Sequence, residues 1–105
     1  MEQGKVQERI KNLIEEGLLE LTPEFRIWAE SHRIVPRQVQ LYEKINSSEV
    51  STFWLVTEHN GVEDSSYRII YDKNHDQFGF EVTLADDREL FLGRVGSFAD
   101  TVNNL

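Results

Sequence analysis

The chain has 105 residues, a net charge of −8 and no cysteine. The absence of cysteine excludes a disulfide framework, a thiolate zinc site and a cysteine nucleophile. Charged residues at 29% and hydrophobic residues at 39% are typical of a folded protein, so we expect one α+β domain over residues 1–105. The charged N-terminus lacks the apolar segment of a signal peptide, and no apolar run approaches the length of a membrane span. These features predict a soluble, cytoplasmic protein that does not bind a membrane.

The acidic charge is concentrated in the second half of the sequence. Residues 1–48 hold seven Lys or Arg against eight Asp or Glu, whereas residues 49–105 hold four against eleven. A field of this sign repels phosphate backbones, so we expect no nucleic-acid partner. It favours a basic protein partner, and acidity that serves only solubility is the alternative.

Two helices are predicted at the N-terminus. Apolar residues recur three and four positions apart from Val6 to Leu21, which is typical of one amphipathic helix, and Gly17 is expected to bend or end its last turn. Residues 22–24 (Thr-Pro-Glu) have the form of a second helix start, with a capping hydroxyl, a proline in the first turn and an acid at the positive end of the dipole. That helix should run for about ten residues and stop before Pro36.

From Pro36 onward the apolar period changes to two, which predicts strands. Short loops between them predict an antiparallel meander of five strands in chain order. A short C-terminal helix follows, because Ser97 and Asp100 have the spacing of a capping box. The predicted strands are residues 36–45, Ser51–Glu58, Tyr67–Asp72, Phe78–Leu84 and Leu90–Gly93.

The same periodicity predicts which side chains are buried. In the fourth strand the aromatic and aliphatic residues should face the core, while Gln77, Gly79, Glu81 and Thr83 should face outward. The predicted core comprises Ile10, Leu13, Ile14, Phe25, Trp28, Val39, Leu41, Phe80, Val82 and Leu92.

No pattern in the sequence predicts a metal, a cofactor or a catalytic residue. Residues 72–76 (Asp-Lys-Asn-His-Asp) begin like a calcium loop, but Gln77 stands where the loop needs glycine and Thr83 where it needs glutamate. The histidines at 32, 59 and 75 lack zinc-site spacing. Carboxylate pairs at 15–16, 63–64 and 86–87 are predicted on solvated surfaces, where nothing would activate them as acids or bases.

Residues 93–97 (Gly-Arg-Val-Gly-Ser) suggest a second kind of site. Glycines and a hydroxyl before a helix can present amides to an anion, and Arg94 supplies a cation. The segment lacks the spacing of a phosphate loop, and the glycines also suit a sharp turn into the helix. The alternative function is therefore a small anionic-ligand domain, or a small enzyme, that uses Arg94, Gly96 and Ser97.

Aromatic and acidic side chains of the predicted sheet half are the candidate partner-binding residues. Both faces of the second strand are partly apolar, which leaves one face for a partner unless the strand is buried on both sides. Tyr and Trp are enriched at interfaces, and loop carboxylates attract a basic surface. The predicted residues are Trp54, Tyr42, Tyr67, Glu63, Asp64, Asp86 and Asp87. The sequence thus favours a non-catalytic protein-binding domain, comparable to immunity or antitoxin proteins, acting as a monomer or weak homodimer.

Overall fold

Two helices precede a five-stranded sheet and a third helix closes the chain, in a computed structural model that describes residues 2–58 and 67–105. This order confirms the predicted α+β class. The elements are α1 (Glu2–Leu19), α2 (Pro23–His32), β1 (Arg33–Tyr42), β2 (Val50–Thr57), β3 (Tyr67–Asp72), β4 (Gln77–Thr83), β5 (Glu89–Gly96) and α3 (Phe98–Asn103).

The five strands form a closed barrel in which neighbours follow chain order. Consecutive strands pair antiparallel, as predicted. The first and last strands then meet in a parallel pair at Tyr42 and Leu90, so the prediction of a purely antiparallel meander is wrong at this junction. Strand twist accumulates over the sheet until its two edges approach, and closure covers backbone groups that an open edge would expose.

Local capping signals set the helix ends as the sequence predicted. The Thr22 hydroxyl accepts a hydrogen bond from the Phe25 backbone N–H, and α2 runs for ten residues. Ser97 and Asp100 form the predicted capping box at the start of α3. Gly17, however, does not end α1, because the helix continues to Leu19 and the glycine instead makes room for Phe98 of α3.

The first strand starts earlier than predicted, directly after α2. Pro36 therefore lies inside β1 and not at its beginning. The register between β1 and β2 shifts between Arg33 and Arg37, which accommodates a residue that has no backbone N–H to donate.

The central strands β2, β3 and β4 are buried on both faces, and this produces two apolar clusters. Helices cover the outer face over β2, β3 and β4, where the buried strand residues are Trp54, Val56, Ile69, Tyr71 and Phe78. The barrel interior is filled by Leu41, Phe53, Leu55, Ile70 and Phe91. Closure of the barrel buries the inner face of each strand, and the helices bury the outer face of β2, β3 and β4.

Most of the predicted core is buried or half-buried, with two errors. Phe25 is 41% exposed because it lines a shallow cavity between α2 and α3. Leu92 is 46% exposed, since the β4–β5 register passes from Phe91 to Gly93 and leaves Leu92 as the extra residue of a bulge. A third error concerns Glu81, which was predicted to face outward but is fully buried because its face of β4 lines the barrel.

Candidate functional site

Trp54 belongs to the core and not to a surface. It is 4% exposed and packs in the cluster beneath the helices. The alternative interpretation of the second strand, burial on both faces, therefore describes this residue. A side chain with so little exposed area can make almost no contact with a partner.

Tyr42 and Asp86 are brought together by Arg88. The Arg88 guanidinium carbon lies 5.5 Å from the centroid of the Tyr42 ring, and its Nε donates to Asp86 Oδ2 at 2.7 Å. The Arg88 backbone N–H, with the side chain, holds the pKa of Asp86 below its ordinary value. This neighbourhood is consequently less acidic than the carboxylate pair 86–87 suggested. Asp87 is exposed in the same turn.

The other predicted partner residues do not join that group. Tyr67 is 46% exposed, and its ring centroid lies 6.1 Å from that of Phe80 on the outer face of the sheet. Glu63 and Asp64 lie outside the residues that the structure describes, as does His59.

In the segment 93–97, the Arg94 side chain and the Ser97 backbone N–H already have carboxylate partners. Arg94 Nε donates to Asp72 Oδ2 at 2.6 Å, and its guanidinium lies over the Phe91 ring. The Ser97 backbone N–H donates to Asp100 Oδ2 at 3.4 Å, which places a carboxylate where an anion would bind. Gly96 has a φ of 148°, so it serves the sharp turn into α3.

The turn at residues 72–76 uses its oxygen atoms within the protein. Asp72 accepts from the Asn74 backbone N–H at 3.0 Å, and its Oδ2 lies 2.9 Å from His75 Nδ1. Asp76 accepts from Arg9 Nη2 at 2.6 Å and from the Tyr71 hydroxyl. Within residues 2–58 and 67–105, no three His, Cys, Asp or Glu side chains are grouped so that they would hold a metal.

An ionic cluster that the sequence did not predict surrounds Arg68. Its Nε donates to Glu81 Oε2 at 2.8 Å, and its two Nη atoms reach Glu58 at 2.8 Å and Glu89 at 2.7 Å. Burial opposes the charge of Arg68, but the hydrogen bonds that it donates to Glu81 and Glu58 raise its pKa above the ordinary value. Burial raises the pKa of Glu81, whose Oε1 has no hydrogen-bond partner among the described residues. The cluster links residues of β3, β4 and β5 with Glu58, which follows β2. Arg68 and Glu81 are buried in it, whereas the side chains of Glu58 and Glu89 are partly exposed.

A groove with a different character lies between α1, the β3–β4 turn and α3. Its volume is about 280 Å³. Buried Phe78 and Phe98 form an apolar floor, with ring centroids 5.4 Å apart. The lining, all of it within the described residues, has three carboxylates and no Lys or Arg. We call it the acidic groove, and its lining is Leu13, Glu16, Gly17, Glu20, Asp76, Gln77, Phe78, Gly96, Ser97 and Phe98.

The carboxylates of this groove stand in electrostatically unfavourable positions. Glu16 lies in the last turn of α1, and Glu20, four residues on, directly follows the helix. That last turn has no basic residue. Like charges at this spacing repel, and the negative end of the helix dipole repels both. Neither side chain forms an ion pair with a residue that the structure describes, whereas Arg9 neutralises Asp76 and lowers its pKa.

The sequence contains a signal for these two residues. Glu15 and Glu16 are predicted as a pair on a solvated helix face, but Glu16 and Glu20, four residues apart near a helix end without basic residues, form the more unusual pattern. Their proximity to Phe78 and Phe98 requires the tertiary structure.

Comparisons with known proteins add no functional information. No protein-family model, no curated protein and no solved structure matches the chain. Among the described residues, no helix is long and apolar enough to cross a membrane. The function must therefore be inferred from the sites.

Proposed function

We propose that the protein is a non-catalytic protein-binding domain that docks a basic protein partner through the acidic groove. The observation that carries the proposal is the position of Glu16 and Glu20 beside an apolar floor, where neither carboxylate pairs with a cation in the part of the chain that the structure describes. A lysine or arginine side chain has the complementary form, with an apolar stem and a cationic head. An immunity-like role, in which an acidic domain neutralises a basic enzyme, is the biological form we favour.

The polar groups of the groove support binding over catalysis. Ser97 Oγ accepts from the Asp100 backbone N–H at 3.1 Å, so the hydroxyl serves the helix cap. Asp76 is held by Arg9 and Tyr71. Glu16 and Glu20 are exposed on the groove rim. The groove thus presents fixed charge and apolar area, without a paired nucleophile and base.

The charge of the protein and the apolar floor of the groove would serve two different stages of binding. The net charge of −8 attracts a basic protein over a distance and accelerates the encounter. The apolar floor at Phe78 and Phe98 then retains a side chain that has entered, which lowers the dissociation rate. This division gives the proposal a kinetic signature that solubility charge alone would not produce.

Affinity capture with matched variants tests the proposal. Immobilised protein is exposed to extract of its native cells, beside Glu16→Gln/Glu20→Gln and the control Glu15→Gln/Glu49→Gln, which removes the same charge outside the groove. We expect one basic protein, identified by mass spectrometry, to be retained by the parent and the control but not by the groove variant. Equal retention by all three, or no retained basic protein, would contradict the proposal.

A further inference from the structure

A larger cavity lies at the opposite end of α1, where the first turns of this helix face the start of β1. Its volume is about 480 Å³, within the range of small-molecule sites. We call it the β1 groove. It shares no residue with the acidic groove, and its lining is Gly4, Gln7, Glu8, Lys11, Arg33, Ile34, Val35 and Pro36.

The walls of the β1 groove are held in place by side-chain contacts. Gln7 Nε2 donates to the Pro36 carbonyl oxygen at 2.8 Å and ties α1 to β1. Ile34 packs against the cluster inside the barrel. Gly4 faces open space, since a Cβ at this position would meet no atom within 4 Å. The cavity is therefore preformed, and its glycine wall leaves room for a ligand.

The charge of the β1 groove is opposite in sign to that of the protein. Lys11 and Arg33 face one carboxylate, Glu8, in a chain whose net charge is −8. Neither cation forms an ion pair with a described residue, whereas Arg9, Arg37, Arg68, Arg88 and Arg94 all do. Those five arginines are neutralised by carboxylates, whereas Lys11 and Arg33 line a cavity without such a pair among the described residues.

The apolar part of the β1 groove is formed by residues 34–36 of β1, which are not paired with a neighbouring strand. Val35 is 78% exposed, and residues 34–36 have no partner in the register with β2. On the other side, β5 meets β1 only at Tyr42. An added peptide strand would need the backbone N–H that Pro36 lacks, so this geometry disfavours strand addition.

We infer that the β1 groove binds a small amphipathic carboxylate. The carboxylate lies between Lys11 and Arg33, where a guanidinium and an ammonium give charge-assisted hydrogen bonds. The apolar chain of the ligand lies along Ile34, Val35 and Pro36 and covers the exposed valine. Glu8 at the rim selects against a second anionic group. This site is independent of partner docking at the acidic groove.

Octanoate is the probe. One control keeps only its carboxylate, and the other keeps its apolar chain. The titration is followed by ¹⁵N–¹H NMR of the full chain. Acetate has the same carboxylate without the apolar chain, and octylammonium has an apolar chain of the same length with a positive charge. We expect saturable shifts at the amides of Gly4, Gln7 and Val35 with octanoate, and no shifts there with acetate or octylammonium at equal concentration. Absent octanoate shifts, or equal shifts with octylammonium, would overturn the inference.

Charge variants then test which side chains hold the head. Lys11→Gln/Arg33→Gln should weaken octanoate binding by about tenfold or more. Lys5→Gln/Lys44→Gln removes the same charge away from the groove and should leave the affinity unchanged. Gly4→Phe should abolish binding by filling the cavity while the rest of the spectrum keeps its dispersion. Equal affinity in the parent, Lys11→Gln/Arg33→Gln and Gly4→Phe would show that the ligand binds elsewhere.

Discussion

Gly17 of α1 and Phe98 of α3 are in such close contact that a Cβ on the glycine would lie 3.0 Å from the Cβ of the phenylalanine. Phe98 is 1% exposed and forms part of the apolar floor of the acidic groove. Glycine inside a helix costs about 1 kcal/mol relative to alanine. Here the cost is offset by the packing of α3 against α1, which also forms the groove.

The contact predicts that Gly17→Ala destabilises the protein although alanine is the better helix former. The added methyl would also lie 3.2 Å from the Ala99 backbone nitrogen, and neither this atom nor the buried ring can move freely. Overpacking of this kind costs about 1–3 kcal/mol. Urea denaturation measures the free energy of unfolding. Gly4→Ala is the matched control, because its Cβ meets no atom within 4 Å and should add about 0.5 kcal/mol. A gain in both variants would contradict the proposed packing role.

The ion pair of Arg68 and Glu81 predicts that replacing one partner destabilises the protein more than replacing both. Arg68→Met leaves the fully buried Glu81 without its cation and should cost about 3–5 kcal/mol in unfolding free energy. Arg68→Met with Glu81→Leu removes the buried charges together and should recover most of that loss. Thermal or urea unfolding of both variants decides the matter. If the double variant were less stable than Arg68→Met alone, the buried charges would not be the source of the loss.

Tyr71 predicts a loss of stability at alkaline pH. Burial, followed by its hydrogen bond to Asp76, raises the pKa of Tyr71 from 10.0 to about 12. The unfolded chain therefore releases this proton first, and the free energy of unfolding should fall as the pH rises from about 10 to about 12. Below the unfolded pKa the contribution is fully present. Tyr71→Phe should remove this part of the pH dependence, and the difference in absorbance at alkaline pH between parent and variant should show a phenol that ionises near pH 12.

Local signals predicted the elements, whereas contacts between distant elements set both the barrel and the groove. The bounds Tyr67–Asp72 of β3 and the caps at Thr22 and Ser97 follow from nearby residues, and the structure confirms them. The parallel pair of Tyr42 and Leu90 depends on twist accumulated over five strands, which no local pattern records.

The same reason explains the errors in burial. Alternation in β4 correctly predicts that Glu81 and Phe80 point to different faces of the strand. It does not reveal that the face of Glu81 is the interior of a barrel. The sequence of β3 offers Arg68 as the only cation directly across the sheet from it. Glu16 and Glu20 likewise gain their significance only when Phe78 and Phe98 are placed beside them.

The positions of Glu16 and Glu20 in the acidic groove predict that neutralising both raises the stability of the protein and slows its association with the partner. Glu16→Gln/Glu20→Gln removes a like-charge pair from the negative end of the α1 dipole. The free energy of unfolding should rise by about 0.3–1 kcal/mol. Association with the basic partner should slow at the same time, and the slowing should shrink at high salt, because the Debye length falls from about 10 Å at 0.1 M to about 3 Å at 1 M.

Stopped-flow association at two salt concentrations, together with urea denaturation, measures both effects. Glu15→Gln/Glu49→Gln carries the same change in net charge and should reduce the association rate less, since its charges lie away from the groove. A groove variant that gains stability and loses association rate would show that Glu16 and Glu20 are placed for binding at a cost to the helix. If it instead lost stability and bound normally, these carboxylates would serve the fold, and the basic partner would have to dock elsewhere on the acidic surface.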